Sequence, residues 1–116
     1  MTMQFPSNMT NDLLQLVERW RIAARHAVEL EGEADTAEAK RKAIKAELVN
    51  HGEGSMAARE SMAEGHPRYH EAIADARAAR TRANLQDVEA KALMMAFEAQ
   101  RTMSANERAE RRMVMG

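Results

Sequence analysis

Between residues 13 and 48, mostly apolar residues recur at alternating intervals of three and four positions. The members of this row are Leu13, Leu16, Trp20, Ala23, Ala27, Leu30, Ala34, Ala37, Arg41, Ile44 and Leu48. Only Arg41 is charged. This spacing is typical of the seam along which one helix of a coiled coil packs against another. We therefore predict a long helix from about residue 10 to residue 50, roughly 60 Å in length at 1.5 Å per residue.

A second row with the same spacing follows Pro67 and predicts another long helix, from residue 67 to about residue 103. Its members are Tyr69, Ile73, Ala76, Arg80, Ala83, Asp87, Ala90, Met94 and Phe97. The connection at residues 51–66 is rich in helix breakers, and Ser55 is placed to cap a short helix that Gly65 ends. Two long helices joined by a compact connection pack most simply side by side and antiparallel.

Both ends of the chain carry signals that set them apart from these helices. Residues 1–9 lack periodicity, so we expect a flexible leader. Ser104 and Glu107 have the spacing of a capping box, which predicts a separate C-terminal helix in residues 104–116. The predicted organisation is one domain, a helical hairpin over residues 10–103 that is flanked by the two terminal segments.

Composition limits how such a hairpin can be stabilised. Apolar residues make up 45% of the 116 residues, yet only 3% are aromatic, and many of the apolar residues are alanine. Alanine buries little area, so an isolated two-helix hairpin gains too little from burial to offset the entropy of ordering its chain. We therefore predict an all-α, coiled-coil-like hairpin that assembles into a helical bundle as a homo-oligomer.

Further apolar residues lie beside the main rows, in the first half of the first helix and late in the second. In an antiparallel hairpin these regions come together at the open end, away from the connection. We predict that they form a surface for self-association. The candidates are Leu14, Val17, Val28, Leu85, Val88 and Met95. The C-terminal helix, with Met113, Val114 and Met115, is the alternative cover for this surface.

Basic residues cluster near the connection, where they predict a partner-binding surface at the tip of the hairpin. These residues are Lys40, Arg41, Lys42, Lys45, Arg77, Arg80 and Arg82. The net charge of -1 excludes a globally basic nucleic-acid binder but leaves a local patch open. The alternative is a set of solvated faces with pairing across the helices. No aromatic residues alternate with these charges to stack on bases, which weakens a role in single-strand binding.

Motifs for catalysis and cofactor binding are missing from the sequence. It has no cysteine, no phosphate-binding loop, no nucleophile elbow and no zinc-protease motif, so we expect a non-enzymatic protein without a cofactor. His51, His66 and His70 gather around the connection, and the four-residue spacing of the last two leaves metal binding open beside ordinary capping. Neither a basic start with an apolar run behind it nor a stretch of 18 apolar residues occurs. We therefore expect a cytoplasmic location without membrane insertion.

The chain resembles small α-helical accessory proteins encoded by bacteriophages, some of which accompany recombination genes. The resemblance extends from Leu13 through the hairpin, rich in alanine and charge, to the segment Glu98-Ala-Gln-Arg-Thr-Met-Ser-Ala-Asn-Glu-Arg-Ala. It implies an accessory factor that assembles with itself and with a recombination or host-defence component. We therefore expect a protein-interaction or adaptor protein, including an inhibitor of a host system. The alternative is a nucleic-acid-associated recombination factor that uses the basic residues together with Arg108, Arg111 and Arg112.

Overall fold

The computed structural model describes residues 4–115 of the chain, with side chains described from residue 11 to residue 114. Three helices make up this part of the chain: α1 (Gln4–His51), α2 (Met56–Glu64) and α3 (Pro67–Met115). Residues 4–115 contain no strand. The all-α prediction is confirmed, as is the order of two long helices with a short helix between them.

The connection between the long helices turns where its helix breakers predict. α1 ends at His51, and Gly54 adopts a positive φ of 97°, a conformation that favours glycine. Ser55 caps α2, because its Oγ accepts a hydrogen bond from the backbone N–H of Ala58 at 3.2 Å. Gly65 caps the other end of α2. These local signals are therefore strong enough to set the bounds of α2.

The start of α1 differs from the sequence prediction. The helix begins at Gln4 rather than near residue 10, so residues 4–9 are helical instead of forming a flexible leader. Residues 1–3 lie outside the described residues. Pro6 is compatible with the earlier start because it falls in the first helical turn, where its missing N–H would have no partner within the helix in any case.

The end of α3 also differs, because the helix continues to Met115 without a break at Ser104. A capping serine needs extended backbone, whereas Ser104 is helical and buried. The residues of α3 that are buried or half-buried in this region continue the coiled-coil spacing past that point. They are Gln86, Ala90, Leu93, Phe97, Gln100, Ser104 and Glu107. Ser104 and Glu107 thus extend this inner row instead of opening a new helix.

The inner row of α3 is displaced by one residue from the predicted row at three positions. The residues that lie inward are Ala79, Gln86 and Leu93, in place of Arg80, Asp87 and Met94. This shift is favourable because two charged groups stay at the edge of the helix interface, where they keep contact with water. Met94, which the spacing placed inward, is 44% exposed.

The described chain divides into two compact units, each of which contains part of α1 and part of α3. Unit 1 comprises residues 4–26 and 86–115 of the described chain, and unit 2 comprises residues 27–85. α2 therefore belongs to unit 2.

The two long helices run antiparallel within unit 2. Glu47, near the end of α1, forms an ion pair with Arg68 at the start of α3. Asp35, earlier in α1, pairs with Arg80, later in α3. Residue numbers therefore fall along one helix as they rise along the other, which is the order expected of a helical hairpin.

Small side chains dominate the buried core, in line with the composition. The two buried clusters of unit 2 are Ala34 with Ala79 and Ala83, and Ile44 with Tyr69 and Ala72. In unit 1, Ala23 and Ala90 are buried. Alanine at these positions allows the two helices to approach closely.

Candidate interaction surfaces

α3 carries a second row of residues on the side opposite its inner row. In unit 1 this outer row again has intervals of four and three, and its members are Val88, Ala92, Met95, Ala99, Thr102, Asn106, Ala109 and Met113. All of them are exposed, none is charged, and Val88, Met95 and Met113 are 60%, 69% and 82% exposed. Successive helical residues differ by about 100°, so Leu93 on the inner row and Met95 on the outer row point in nearly opposite directions. α3 therefore presents coiled-coil spacing on two faces.

The six residues predicted to support self-association divide between the units. Unit 1 contains Leu14, Val17, Val88 and Met95, and unit 2 contains Val28 and Leu85. Five of them are 60% to 70% exposed, whereas Val17 is half-buried. Exposed apolar side chains are available to a partner, so these five stay candidates. Self-association itself stays a prediction.

Unit 1 exposes further apolar side chains on α1. Trp20, which the spacing predicts to face inward, is 36% exposed, and Ile22 is 62% exposed. The bulk of the indole explains the first difference, because the adjoining seam residue Ala23 permits a close helix approach that leaves little room for a large ring. An exposed indole is well suited to a protein interface, since it combines a large apolar face with a polar N–H.

Several charged residues border the outer row, and two of them, Lys91 and Glu98, directly precede Ala92 and Ala99 of that row. Lys91 Nζ lies 2.8 Å from a carboxylate oxygen of Asp87, and Arg101 donates a hydrogen bond to Glu98 at 3.1 Å. The hydrogen bond to Asp87 raises the pKa of Lys91. The side chains of Lys91 and Glu98 are both more than half exposed, so neither charge is committed to the interior of unit 1.

In unit 2, Arg41 donates a hydrogen bond to the hydroxyl of the buried Tyr69. This contact explains why one charged residue interrupts the apolar row of α1. Arg41 Nη1 donates the hydrogen bond to Tyr69 Oη at 2.7 Å, and its Nε donates to the Glu38 carboxylate at 3.1 Å. Arg41 Cζ and Lys45 Nζ lie 6.0 Å and 5.8 Å from the centre of the Tyr69 ring. The hydrogen bond between Arg41 and Glu38 lowers the pKa of Glu38 and raises the pKa of Arg41.

Three of the seven predicted partner-binding residues line one groove of unit 2. The groove encloses about 390 Å³ and is lined by Ala34, Glu38, Arg41, Ile73, Ala76, Arg77 and Arg80. Arg80 donates a hydrogen bond to Asp35 at 2.7 Å, which raises the pKa of Arg80. Arg41 and Arg80 are therefore paired with carboxylates, whereas Arg77 is exposed beside them.

The other four basic residues lie outside this groove. Lys40 lines a separate groove of about 660 Å³ together with three acidic residues. Lys45 forms an ion pair with Glu64 across 3.2 Å. Lys42 and Arg82 are exposed and line neither groove. Three of the seven residues thus share one groove, Lys45 and Arg80 are paired with carboxylates on other helices, and the single basic surface stays a prediction.

His66 caps the start of α3, since its Nδ1 accepts a hydrogen bond from the backbone N–H of Arg68 at 3.0 Å. Capping was one of the two roles left open for the histidines near the connection. Among the residues that the structure describes, no group of three or more histidine, aspartate or glutamate side chains is arranged to hold a metal ion. Within the same residues, no helix is long and apolar enough to cross a membrane.

The sequence interpretation missed the length of the outer row. Leu85, Val88 and Met95 were visible as extra apolar residues, but a helix that ends near residue 103 cannot carry the row further. The continuation through Asn106, Ala109 and Met113 has the same spacing as the rest. The predicted helix boundary at Ser104 concealed this signal.

No protein-family model, curated protein or solved structure matches the chain. Its function must therefore be argued from the surfaces themselves.

Proposed function

We propose that this chain is a non-enzymatic protein-interaction or adaptor protein and that the outer row of α3 is its main binding surface. The observation that carries the proposal is the exposure, in unit 1, of an uncharged row with coiled-coil spacing. A helix with such rows on two faces gains free energy when both are covered. Another helix is the partner whose geometry fits the row best.

The side chains on and beside the row suit protein binding. Met95 and Met113 lie on the row and Met103 lies beside it, with exposed fractions of 69%, 82% and 56%. Methionine is flexible and polarizable, so it adapts to the shape of a partner surface. Because no charged residue belongs to the row, a partner can cover it without burying an unpaired charge.

The resemblance to phage-encoded helical proteins supports an accessory role in the cytoplasm, including inhibition of a host system. An inhibitor of this kind needs a surface that occupies its target rather than a catalytic group. An uncharged helical row meets that need, because it competes with any helix that the target normally binds.

Affinity capture from the cells that make the protein, followed by mass spectrometry, tests the proposal. Val88→Glu combined with Met95→Glu puts two charges on the outer row and should abolish recovery of the partner. Ile22→Glu is the matched control, because Ile22 is 62% exposed in unit 1 but belongs to α1. Circular dichroism should show the same helix content for all three proteins. Equal recovery of the same partner by all three would contradict the proposal.

The alternative, a nucleic-acid-associated role in recombination, receives less support from the geometry of unit 2. Arg41 and Arg80 already pair with carboxylates, so a phosphate would have to compete with those groups. A mobility-shift assay with single- and double-stranded DNA at increasing salt separates the two functions, because phosphate contacts weaken as salt rises. A salt-sensitive complex that Arg77→Glu removes would favour the nucleic-acid role.

A further inference from the structure

We infer that the occupant of the outer row is a second copy of this chain, bound antiparallel so that Ala92 of one copy faces Met95 of the other. The inference rests on the proposed function, because it assigns a partner to the same surface. It also specifies how α3 of one copy is aligned with α3 of the other. This alignment, or register, follows from the sizes and charges of residues in and beside the row.

Side-chain size is the first argument. In this register Ala99 of one copy also faces Val88 of the other, and the two-fold axis between the copies repeats both contacts. Each layer therefore combines a small residue with a larger one, which fills the interface evenly. A parallel, in-register pair would instead stack Met95 on Met95 and Ala92 on Ala92, so a crowded layer would alternate with an underfilled one.

Charge close to the two-fold axis is the second argument, and it favours the same register. Ala92 and Ala99 each hold the first core position of a heptad. In an antiparallel pair of helices, the residues directly before these positions face each other, so Lys91 lies opposite Glu98 of the second copy. Symmetry produces this pair twice. A shift by one heptad in one direction places Lys91 opposite Lys91 of the second copy. A shift in the other direction places Glu98 opposite Glu98 of the second copy. Both shifts bring like charges together at the two-fold axis, so the contacts among residues 88–99 favour the intermediate register. Farther from the axis, the same register sets Arg112 opposite Arg77 and Glu110 opposite Asp75, where all four side chains are exposed.

The ion pairs within α3 do not oppose this arrangement. Lys91 and Asp87 are four residues apart, Glu98 and Arg101 are three apart, and all four side chains are more than half exposed. Exposed pairs at this spacing are weak. Lys91 and Glu98 can therefore turn toward the second copy while their present partners stay hydrated.

The parallel alternative has one favourable feature, which is Asn106. It would pair with itself across a parallel interface, as a single asparagine does in many two-stranded coiled coils. The same arrangement places Lys91 near Ala96 and Glu98 near Met103 of the second copy, where neither charge finds a partner. Close to the two-fold axis, the antiparallel register pairs Lys91 and Glu98 of each copy with opposite charges, and it is the one we assign.

Disulfide trapping distinguishes these arrangements, and the absence of native cysteine gives a clean background. We expect differently tagged Val88→Cys and Ala99→Cys proteins to form a mixed disulfide on mild oxidation. Ala99→Cys alone should not crosslink, because its counterpart would lie about 16 Å away along the helix, beyond disulfide reach. Ile22→Cys mixed with Ala99→Cys is the control and should stay uncrosslinked. Self-crosslinking of Ala99→Cys in preference to the mixed disulfide would overturn the antiparallel assignment.

Charge reversal provides an independent test in solution. Glu98→Lys should weaken the dimer on the order of tenfold in sedimentation experiments, since both symmetry-related ion pairs become repulsive. Lys91→Glu should do the same, and the double variant should recover the wild-type dissociation constant. In the double variant, residues 91 and 98 carry the same charge as Asp87 and Arg101, so neither ion pair within α3 can form. Recovery of the dissociation constant would therefore report contact between the two copies. Additive weakening in the double variant would contradict the inference.

The two proposals fail separately. A wild-type protein that stays monomeric at micromolar concentration overturns the second copy as occupant. If that monomer still loses a captured partner through Val88→Glu with Met95→Glu, the outer row keeps its proposed function with a different protein. A dimer that forms unchanged in that variant would remove the outer row from the dimer interface, and equal capture of the same partner by that variant would remove it from the proposed function.

Discussion

Units 1 and 2 contain parts of the same two helices but use their side chains differently. In unit 2, ion pairs join different helices between Asp35 and Arg80 and between Glu47 and Arg68, beside one pair within α1, that of Glu38 with Arg41. In unit 1, the ion pairs of Lys91 with Asp87 and of Glu98 with Arg101 join neighbours on the same helix. Ion pairs between helices in unit 2 therefore help to hold the hairpin together, whereas these ion pairs in unit 1 form within α3 alone.

The exposed apolar side chains follow the same division. Those of unit 1 are Leu14, Trp20, Ile22, Val88, Met94, Met95, Met103, Met113 and Val114, and those of unit 2 are Val28, Met56, Met62 and Leu85. A helix pair whose ion pairs cross its own interface gains little free energy from binding a partner. One that leaves much apolar surface in water gains from a partner. This division is consistent with the proposed function, in which unit 1 provides the binding surface and unit 2 stabilises the hairpin.

The strongest way to break this division is to remove the one large aromatic side chain in the core of unit 2. Tyr69 is 7% exposed and packs with Ile44 and Ala72. Tyr69→Ala should lower the free energy of unfolding by about 3 kcal/mol, through lost burial and the cavity that remains. Thermal denaturation followed by circular dichroism measures this loss. Tyr69→Phe keeps the ring, loses only the hydrogen bond from Arg41, and should cost much less. Similar losses for both variants would show that the hydroxyl, not the ring, stabilises unit 2.

Overpacking the alanine seam should have the next largest effect. Ala34 is 1% exposed and lies against Ala79 and Ala83, so Ala34→Leu adds volume where the helices have no room for it. We expect a loss of about 1 to 3 kcal/mol in unfolding free energy by chemical denaturation. Ala39→Leu is the matched control, because Ala39 is exposed on the same helix. An equal effect at both positions would show that the seam of unit 2 is not tightly packed.

Local signals made much of the fold predictable. The apolar row of α1 and the caps at Ser55 and Gly65 depend on residues close together in sequence, so their outcome can be foreseen. The row of α3 was harder to assign. Ala79 and Arg80 both satisfy a three-and-four spacing with their neighbours, and only the cost of burying a charge in the helix interface selects Ala79.

The candidate site was less predictable, for two physical reasons. Ser104 and Glu107 form a capping-box pattern, but the same spacing suits two positions on a continuous inner row, and packing against α1 decides between them. The basic residues Arg41 and Arg80 look available in the sequence. The Asp35 partner of Arg80 becomes evident only when the helices are placed side by side, whereas Glu38 lies three residues before Arg41 on α1.

Charge reversal near the tip sharpens the comparison with a smaller effect. Lys42 is exposed, whereas Lys45 bonds to Glu64 and lies over the Tyr69 ring. Lys42→Glu should leave the melting temperature unchanged, while Lys45→Glu should lower it because two carboxylates then face each other. If the predicted basic surface binds a partner, Lys42→Glu should weaken capture without this stability loss. Unchanged capture would leave Lys42 as a solvated side chain.

The smallest expected effect is an acid sensitivity that belongs to unit 2. Hydrogen bonds from Arg41 and Arg68 lower the pKa of Glu38 and of Glu47 below the ordinary carboxyl value of 4.5. A carboxyl with a lowered folded-state pKa stabilises the fold fully above its unfolded value, and this contribution disappears as pH falls through the folded-state pKa.

Glu47→Gln isolates one such contribution, because it removes the carboxylate and keeps nearly the same shape. At pH 7 and low salt the wild type should melt slightly higher than Glu47→Gln, and the difference should vanish as pH falls below the carboxyl range. The effect is small, since the Glu47 side chain is 49% exposed and water and salt screen its pair with Arg68. Glu98→Gln is the control in unit 1, where the ion pair joins residues of one helix. A difference between wild type and Glu47→Gln that persists unchanged at pH 3 would show that the Glu47 carboxylate does not stabilise unit 2 through its charge.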